Sequence, residues 1–241
     1  MNTFQKIILT ILTGIGMTIH ASSIYTIGSD AADSFETEAD IINITKQGIG
    51  TTTLQNTHAI GSINITAGTL LVDETADLGG AQVEFNGGTL EVAGNIDTGA
   101  LALTDNGTLK VDAAFIATLS ADTTQTNTLT KTGPGTLLVN SDRHSSTTPI
   151  TVSVGILEVT ASGKLPTAAV NVGGNGTLLL ERSTEGTAPG AMHINSGGTL
   201  KTTVAIPATG VANTFSGGLT FHSGAVLYLG GDWAQNITVA P

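Results

Sequence analysis

The segment Leu129–Asn140 has the sequence LTKTGPGTLLVN, and the segment Ile44–Asn56 has the related sequence ITKQGIGTTTLQN. Both contain an aliphatic residue, Thr-Lys, a Gly-x-Gly pair and Thr, and they begin 85 residues apart. The glycine-led second half of this phrase recurs in steps that are mostly about 20 residues long, a period typical of stacked supersecondary units. The repeated glycines are Gly68, Gly88, Gly107, Gly135, Gly155, Gly176, Gly198 and Gly224.

The residues after each glycine alternate between apolar and variable side chains, as Leu157 and Val159 do around Glu158. This is the periodicity of a β-strand with one buried and one exposed face. A second short apolar strand precedes each glycine, and the corner between the two strands is rich in residues that tolerate tight turns. Each repeat therefore reads as strand, corner, strand and a variable return.

A unit of this length cannot bury its own apolar face, whereas stacking copies of it can. Each strand would then pair with the equivalent strand of the next rung, about 4.8 Å away. We therefore predict an all-β, right-handed parallel β-helix (β-solenoid) of about nine rungs of roughly 20 residues. On this prediction, the 85-residue separation corresponds to four rungs. The alternative is an antiparallel β-sandwich, which also has short, regularly spaced strands.

The composition excludes several classes of function. The 241 residues include 8 basic and 19 acidic side chains, which give a net charge of −11. Such a chain is unsuited to nucleic acid, because phosphate backbones are bound by clustered cations. There is no cysteine, so disulfides and thiolate metal sites are excluded.

The chain divides into three segments. Residues 1–21 carry Lys6 and then the apolar run Ile7–Ile19, which predicts an export signal peptide cleaved after Ala21; a short buried segment is the alternative. The run is too short to span a membrane as a helix. Residues 22–43 are predicted to form an acidic N-terminal cap segment, and residues 44–241 the β-helical repeat domain. The acids of the cap could also be read as a cation site or a glycosidase pair.

The segment LTKTGPGTLLVNSD followed by ITVSVGILEV, within Leu129–Val159, resembles the autotransporter-associated β-strand repeat. The resemblance is looser over Ile44–Val72. It implies an exported β-helical passenger on the bacterial surface, held there by a C-terminal outer-membrane β-barrel. The chain stops at Pro241 inside a repeat, so we expect it to be truncated, with the barrel missing from this chain.

A candidate contact surface comes from leucines at positions that should point outward. If aligned, they would form an apolar stripe on the outside of the solenoid; shielding by neighbouring loops is the alternative. These leucines are Leu71, Leu138, Leu179 and Leu227. Arg143 and His144 belong to the same candidate surface, because they lie in the longest insertion, where ligand contacts are common.

Catalytic and metal sites are not predicted. Asp142, His144 and Ser145 are neighbours in one loop, whereas a catalytic triad needs side chains that converge from separate elements. The histidines are scattered and have no metal-ligand spacing, and the outward strand positions supply no cluster of acids. Trp233 could be a binding platform, but packing near the end of the chain is the simpler interpretation.

We therefore expect an exported, autotransporter-like passenger segment that acts as a structural or adhesive rod, at the bacterial cell surface or secreted. It would be no enzyme, would need no cofactor, and would contact a host or cell-surface protein or glycan. The alternatives are a secreted β-helical enzyme that degrades polysaccharide, and a non-functional fragment of a longer autotransporter.

Overall fold

The computed structural model confirms an all-β solenoid of stacked parallel strands. It describes residues 5–7, 23–28, 33–36, 42–55, 60–74, 78, 81–119, 127–140, 147–160, 162–181, 190–203 and 218–229. Within these ranges the only antiparallel strand pair is the first one, so the sandwich is excluded. The number of layers differs slightly from the predicted nine, and the right hand of the coil stays a prediction.

Most of the strands are three to six residues long. In chain order they are β1 (Gln5–Ile7), β2 (Ser23–Gly28), β3 (Asp33–Glu36), β4 (Ile42–Gln47), β5 (Thr51–Gln55), β6 (Ile60–Ile65), β7 (Thr69–Asp73), β8 (Gln82–Phe85), β9 (Thr89–Ala93), β10 (Ile96–Thr98), β11 (Leu101–Leu103), β12 (Gly107–Val111), β13 (Ile116–Leu119), β14 (Leu129–Thr132), β15 (Thr136–Val139), β16 (Ile150–Val159), β17 (Val170–Leu180), β18 (Met192–Ile194), β19 (Thr199–Thr202), β20 (Leu219–Phe221) and β21 (Val226–Leu229).

Three rows of paired strands follow one another around the coil, and we call them faces 1, 2 and 3. Face 1 contains β2, β4, β6, β8 and β11, with β1 on its outer edge. Face 2 contains β3, β5, β7, β9, β12, β14, the first halves of β16 and β17, β18 and β20. Face 3 contains β10, β13, β15, the second halves of β16 and β17, β19 and β21.

The core is made of inward side chains that stack on their counterparts in the next layer. On face 1, for example, Ile63 pairs with Val83 and Ile65 with Phe85, and all four are fully buried. Fully burying one such side chain stabilises the fold by about 1.5–3 kcal/mol. The apolar positions predicted to face inward before each glycine are confirmed, although Leu219 is only partly buried.

The repeats do not all stack in one row, and here the prediction was wrong. In the first half of the chain the strand–corner–strand unit spans faces 1 and 2, as β6 and β7 do. In the second half it spans faces 2 and 3, as β14 and β15 do. The glycine-led strand β12 therefore pairs with β14 and not with β15. The change falls in the 28-residue step from Gly107 to Gly135, so the two Thr-Lys phrases are four layers and one face apart.

The N-terminal segment continues the same rows of strands. β2 and β3 lie within the predicted cap, residues 22–43, and pair in parallel with β4 and β5. Of the predicted signal peptide the structure describes only Gln5–Ile7, which forms β1 and pairs antiparallel with β2.

The inward and outward positions of one strand provide a test of the stacking. Leu137 is fully buried against Ala117 and Leu157, and its neighbour Leu138 points outward. We expect Leu137→Asn to lower the free energy of unfolding by about 4 kcal/mol, since it removes a core side chain and buries an amide. The matched variant Leu138→Asn should cost about 1 kcal/mol or less. Urea unfolding of both variants measures the difference, and equal losses would contradict the assignment of the two sides.

Candidate interaction surface

The lysine of each Thr-Lys phrase points into the core. Lys46 and Lys131 are both 0% exposed and occupy inward positions, beside Ile65 and Val152 respectively. The Nζ of Lys131 donates to the carbonyl oxygens of Thr132 and Gly133 at 2.8 Å and of Val154 at 3.2 Å. The Nζ of Lys46 donates to the carbonyls of Gln47 and Gly48 at 2.6 and 2.8 Å. Each lysine thus supplies hydrogen-bond donors to carbonyl groups at a corner.

The glycines of the next layer fit closely over these corners. Gly155 has a φ of +79°, and a Cβ there would come within 2.6 Å of the Gly135 carbonyl oxygen and 2.8 Å of the Lys131 Nζ. Gly68, with a φ of +65°, lies in the same way over the carbonyls of Gly48 and Gly50. The Thr-Lys-x-Gly-x-Gly phrase therefore forms a corner whose carbonyl groups accept hydrogen bonds from the lysine of the same phrase. The glycine in the layer above has no side chain, so that layer can pack closely on the corner.

Burial lowers the pKa of Lys131 from 10.5 to about 8. Neither lysine is among the residues for which the sequence predicts a role. Their position was readable, since each follows an aliphatic residue by two places and so shares its side of the strand.

The outer side of face 2 carries an unbroken row of half-buried hydroxyl groups. Successive layers place a threonine at the same position, and each is the register partner of the next. Three further layers continue the row with Asn171, His193 and Thr220. The six threonines are Thr51, Thr69, Thr89, Thr108, Thr130 and Thr151. This row makes the outer side of face 2 polar, and its threonines are not among the residues for which the sequence predicts a role.

The outer side of face 3 has a different chemistry. Its strands carry two outward rows, of which the second runs through Leu138, Glu158, Leu179, Lys201 and Tyr228 in successive layers. Of the five large hydrophobic residues that are exposed in the described ranges, three lie on this face. They are Ile116 at 40%, Val226 at 38% and Tyr228 at 59% exposure. Face 3 therefore carries most of the exposed large hydrophobic side chains of the described solenoid.

The four leucines do not form the single aligned stripe that the sequence predicted. Leu71 lies on face 2, whereas Leu138 and Leu179 lie on face 3 with Glu158 between them. Leu227 is the register partner of Leu200 and packs against the core, so its predicted outward position is wrong.

The cause of the error at Leu227 is a shift of one residue. Gly224 occupies the place of Gly197, with a similar positive φ, and not the place of Gly198. Tyr228 takes the outward position instead.

Charges on the outer sides are partly paired. Lys110 on face 2 lies 2.5 Å from Glu91 in the preceding layer and 3.5 Å from Asp112, and the hydrogen bond to Glu91 is the main cause of its raised pKa. On face 3, burial and the nearby carboxylate of Glu181 raise the pKa of Glu158.

The remaining candidate residues either lie outside the described part of the chain or form no metal site within it. Arg143, His144 and Trp233 lie outside the described residues. Within the described part, His193 and His222 are neighbours, with ring centroids 6.2 Å apart, and no group of three His, Cys, Asp or Glu side chains could hold a metal ion. The same residues contain no helix long and apolar enough to cross a membrane.

Comparison with known proteins adds no relative. No family model, curated protein sequence or solved structure matches this chain.

The buried lysine predicts a dependence of stability on pH. The pKa of Lys131 is lower in the folded than in the unfolded chain, so between pH 8 and 10.5 the unfolded chain binds more protons and this lysine makes the fold more stable as the pH rises. Lys131→Met should lower the free energy of unfolding by about 2 kcal/mol at pH 7, because corner carbonyls lose their donor. The stability gap between wild type and variant should widen from pH 8 to 10, as measured by urea unfolding.

Lys110→Met is the matched control. The pKa of Lys110 is raised, so its contribution is present below pH 10.5 and is lost only at higher pH. Its stability gap should stay flat from pH 8 to 10. A flat gap for Lys131→Met as well would contradict the buried, low-pKa state of that lysine.

Proposed function

We propose that this chain is an exported passenger segment, similar to those of autotransporters, that acts as a structural or adhesive rod at the bacterial cell surface and has no catalytic activity. The observation that carries the proposal is the unbroken row of parallel pairing on face 2, from β3 to β20. At about 4.8 Å per layer, this row gives a stiff body on the order of 45 Å long.

The fold supports a mechanical role because every layer is held by its neighbours. A solenoid gains stability through contacts between adjacent repeats, and here a hydrogen-bonded ladder joins each layer to the next. In the second half of the chain, the connections from face 3 back to face 2 vary in length, from β15 to β16, β17 to β18 and β19 to β20. Regular strands with variable connections suit a rod that presents loops to a host or cell-surface protein or glycan.

Export is tested through the N-terminus of the protein produced in a bacterium from its own Met1. We expect mass spectrometry of the exported protein to show a chain that begins at Ser22, because the apolar run of residues 7–19 would act as the signal. Leu9→Arg together with Leu12→Arg should block cleavage and export, since charges interrupt that run. A cytoplasmic protein with residues 1–21 intact would contradict this part of the proposal.

Adhesion and catalysis are separated with one set of ligands. The purified protein is applied to immobilised matrix proteins and polysaccharides, and the same polysaccharides are assayed in solution for new chain ends, with calcium present. We expect binding without cleavage, and weaker binding by Arg143→Ala/His144→Ala, whose matched control is Lys110→Ala on face 2. Turnover of any polysaccharide would favour the rival function of a β-helical degrading enzyme.

A further inference from the structure

The second outer row of face 3 has an order of side chains that is complementary to itself. The row begins with Asp97 and Thr118 in β10 and β13. The self-complementary part follows from β15 to β21 and consists of Leu138, Glu158, Leu179, Lys201 and Tyr228. Leu179 is the centre, with an acid one layer before it and a base one layer after it. The next layers outward carry a leucine on one side and a tyrosine on the other. Read in reverse, the row keeps its apolar positions and exchanges its two charges.

A two-fold axis brings such a row against a second copy of itself. Consider an axis that is parallel to β17 and lies midway between the two facing copies. Rotation about this axis leaves each residue at the same position along the strand direction and reverses the order of the layers. Leu179 then meets Leu179 of the other copy, Leu138 meets Tyr228, and Glu158 meets Lys201 on both sides. A contact of this kind is isologous, because each copy uses the same patch.

The first outer row of face 3 is compatible with the same arrangement. It consists of uncharged residues, which in β15, β16, β17, β19 and β21 are Thr136, Ile156, Thr177, Thr199 and Val226. Under the same rotation Thr136 meets Val226, Ile156 meets Thr199, and Thr177 meets its own counterpart. No charge in these five layers of either row would face a like charge, and the exposed Val226 and Tyr228 would be covered. Glu181, two places after Leu179 and close to Glu158, would lie beside its own counterpart at the axis, which is a cost that the contact must overcome.

We propose that face 3 is a self-association surface, on which two copies of this chain pack antiparallel and form paired Glu158–Lys201 contacts at either side of Leu179. The order of the charges favours a second copy over an unrelated partner, because in the dimer the Glu158 of each copy meets the Lys201 of the other. Polar and charged complementarity of this kind fixes register and orientation. The patch covers five layers of short strands, a few hundred Å² per copy, below the roughly 800 Å² per partner of a standard stable interface. The dimer is therefore weak and concentration-dependent.

Analytical ultracentrifugation of the purified protein, from about 1 to 500 µM, tests the association. Physiological salt is used, so that the net charge of −11 on each copy is screened beyond about 8 Å. We expect a monomer–dimer equilibrium. Glu158→Lys and Lys201→Glu should each weaken it at least about tenfold, since each puts like charges opposite one another twice in the dimer.

The two variants together make the test specific. Glu158→Lys gives a copy with two bases in the row, and Lys201→Glu gives a copy with two acids. An equimolar mixture should therefore form a heterodimer more readily than either variant forms a homodimer. Lys110→Glu on face 2 makes the same change of charge away from the surface and should leave the equilibrium unchanged. Each variant is checked for the unfolding midpoint of the wild type.

Each of the following results either supports or contradicts the proposed dimer. Loss of association in both single variants, with recovery in their mixture, supports the antiparallel contact on face 3. A wild-type protein that stays monomeric to 500 µM would overturn it, and so would a dimer that both charge reversals leave intact.

Discussion

Each layer of this solenoid has an apolar inner side that only the layers above and below can cover. A single layer offers a few short strands and too few side chains for a core of its own. In the stack, Leu137 lies between Ala117 and Leu157, and the same relation repeats along the axis. The hydrogen-bonded ladder enforces this contact, because parallel pairing in register brings inward residues to the same height. The glycines, the corner lysines and the outer rows are all arranged around that requirement.

The corner lysines show how a costly group can be accommodated inside such a stack. A buried ammonium loses its hydration, and the Nζ of Lys131 donates instead to three carbonyl oxygens, two in its own corner and one in the next layer. The glycine in the layer above must lack a side chain because the carbonyls and the Nζ fill that space. The phrase is thus a local solution to the geometry of a corner, which explains why it recurs on different faces.

Much of the fold could be predicted from the alternation of side chains, since inward positions such as Leu90, Val152 and Leu178 follow directly from a period of two. What the pattern could not show is which face a given strand occupies. The repeats of both halves have the same form, so their shift by one face is invisible in any single copy. The sign of this shift in the sequence is the 28-residue step after Gly107, which is long enough to contain the additional strand β13. The error at Leu227 has another origin: Gly224 stands where an earlier copy has the first glycine of a pair. The apolar side chains on the outer side of face 3 belong to repeats that are two or three apart in the sequence. They are recognised as one surface only when the shift by one face and the one-residue shift at Gly224 are both known.

The change of faces has a consequence for how the body would carry a load. Where the pattern shifts, β8, β9 and β10 pair with β11, β12 and β13, so that face 3 begins before face 1 ends. From the first layers to β13 and on to β21, neighbouring layers of the described chain are joined by at least two ladders, and at the shift by three. Two neighbouring layers can separate only if every ladder between them breaks together, so the change of faces leaves no weak joint in the shaft.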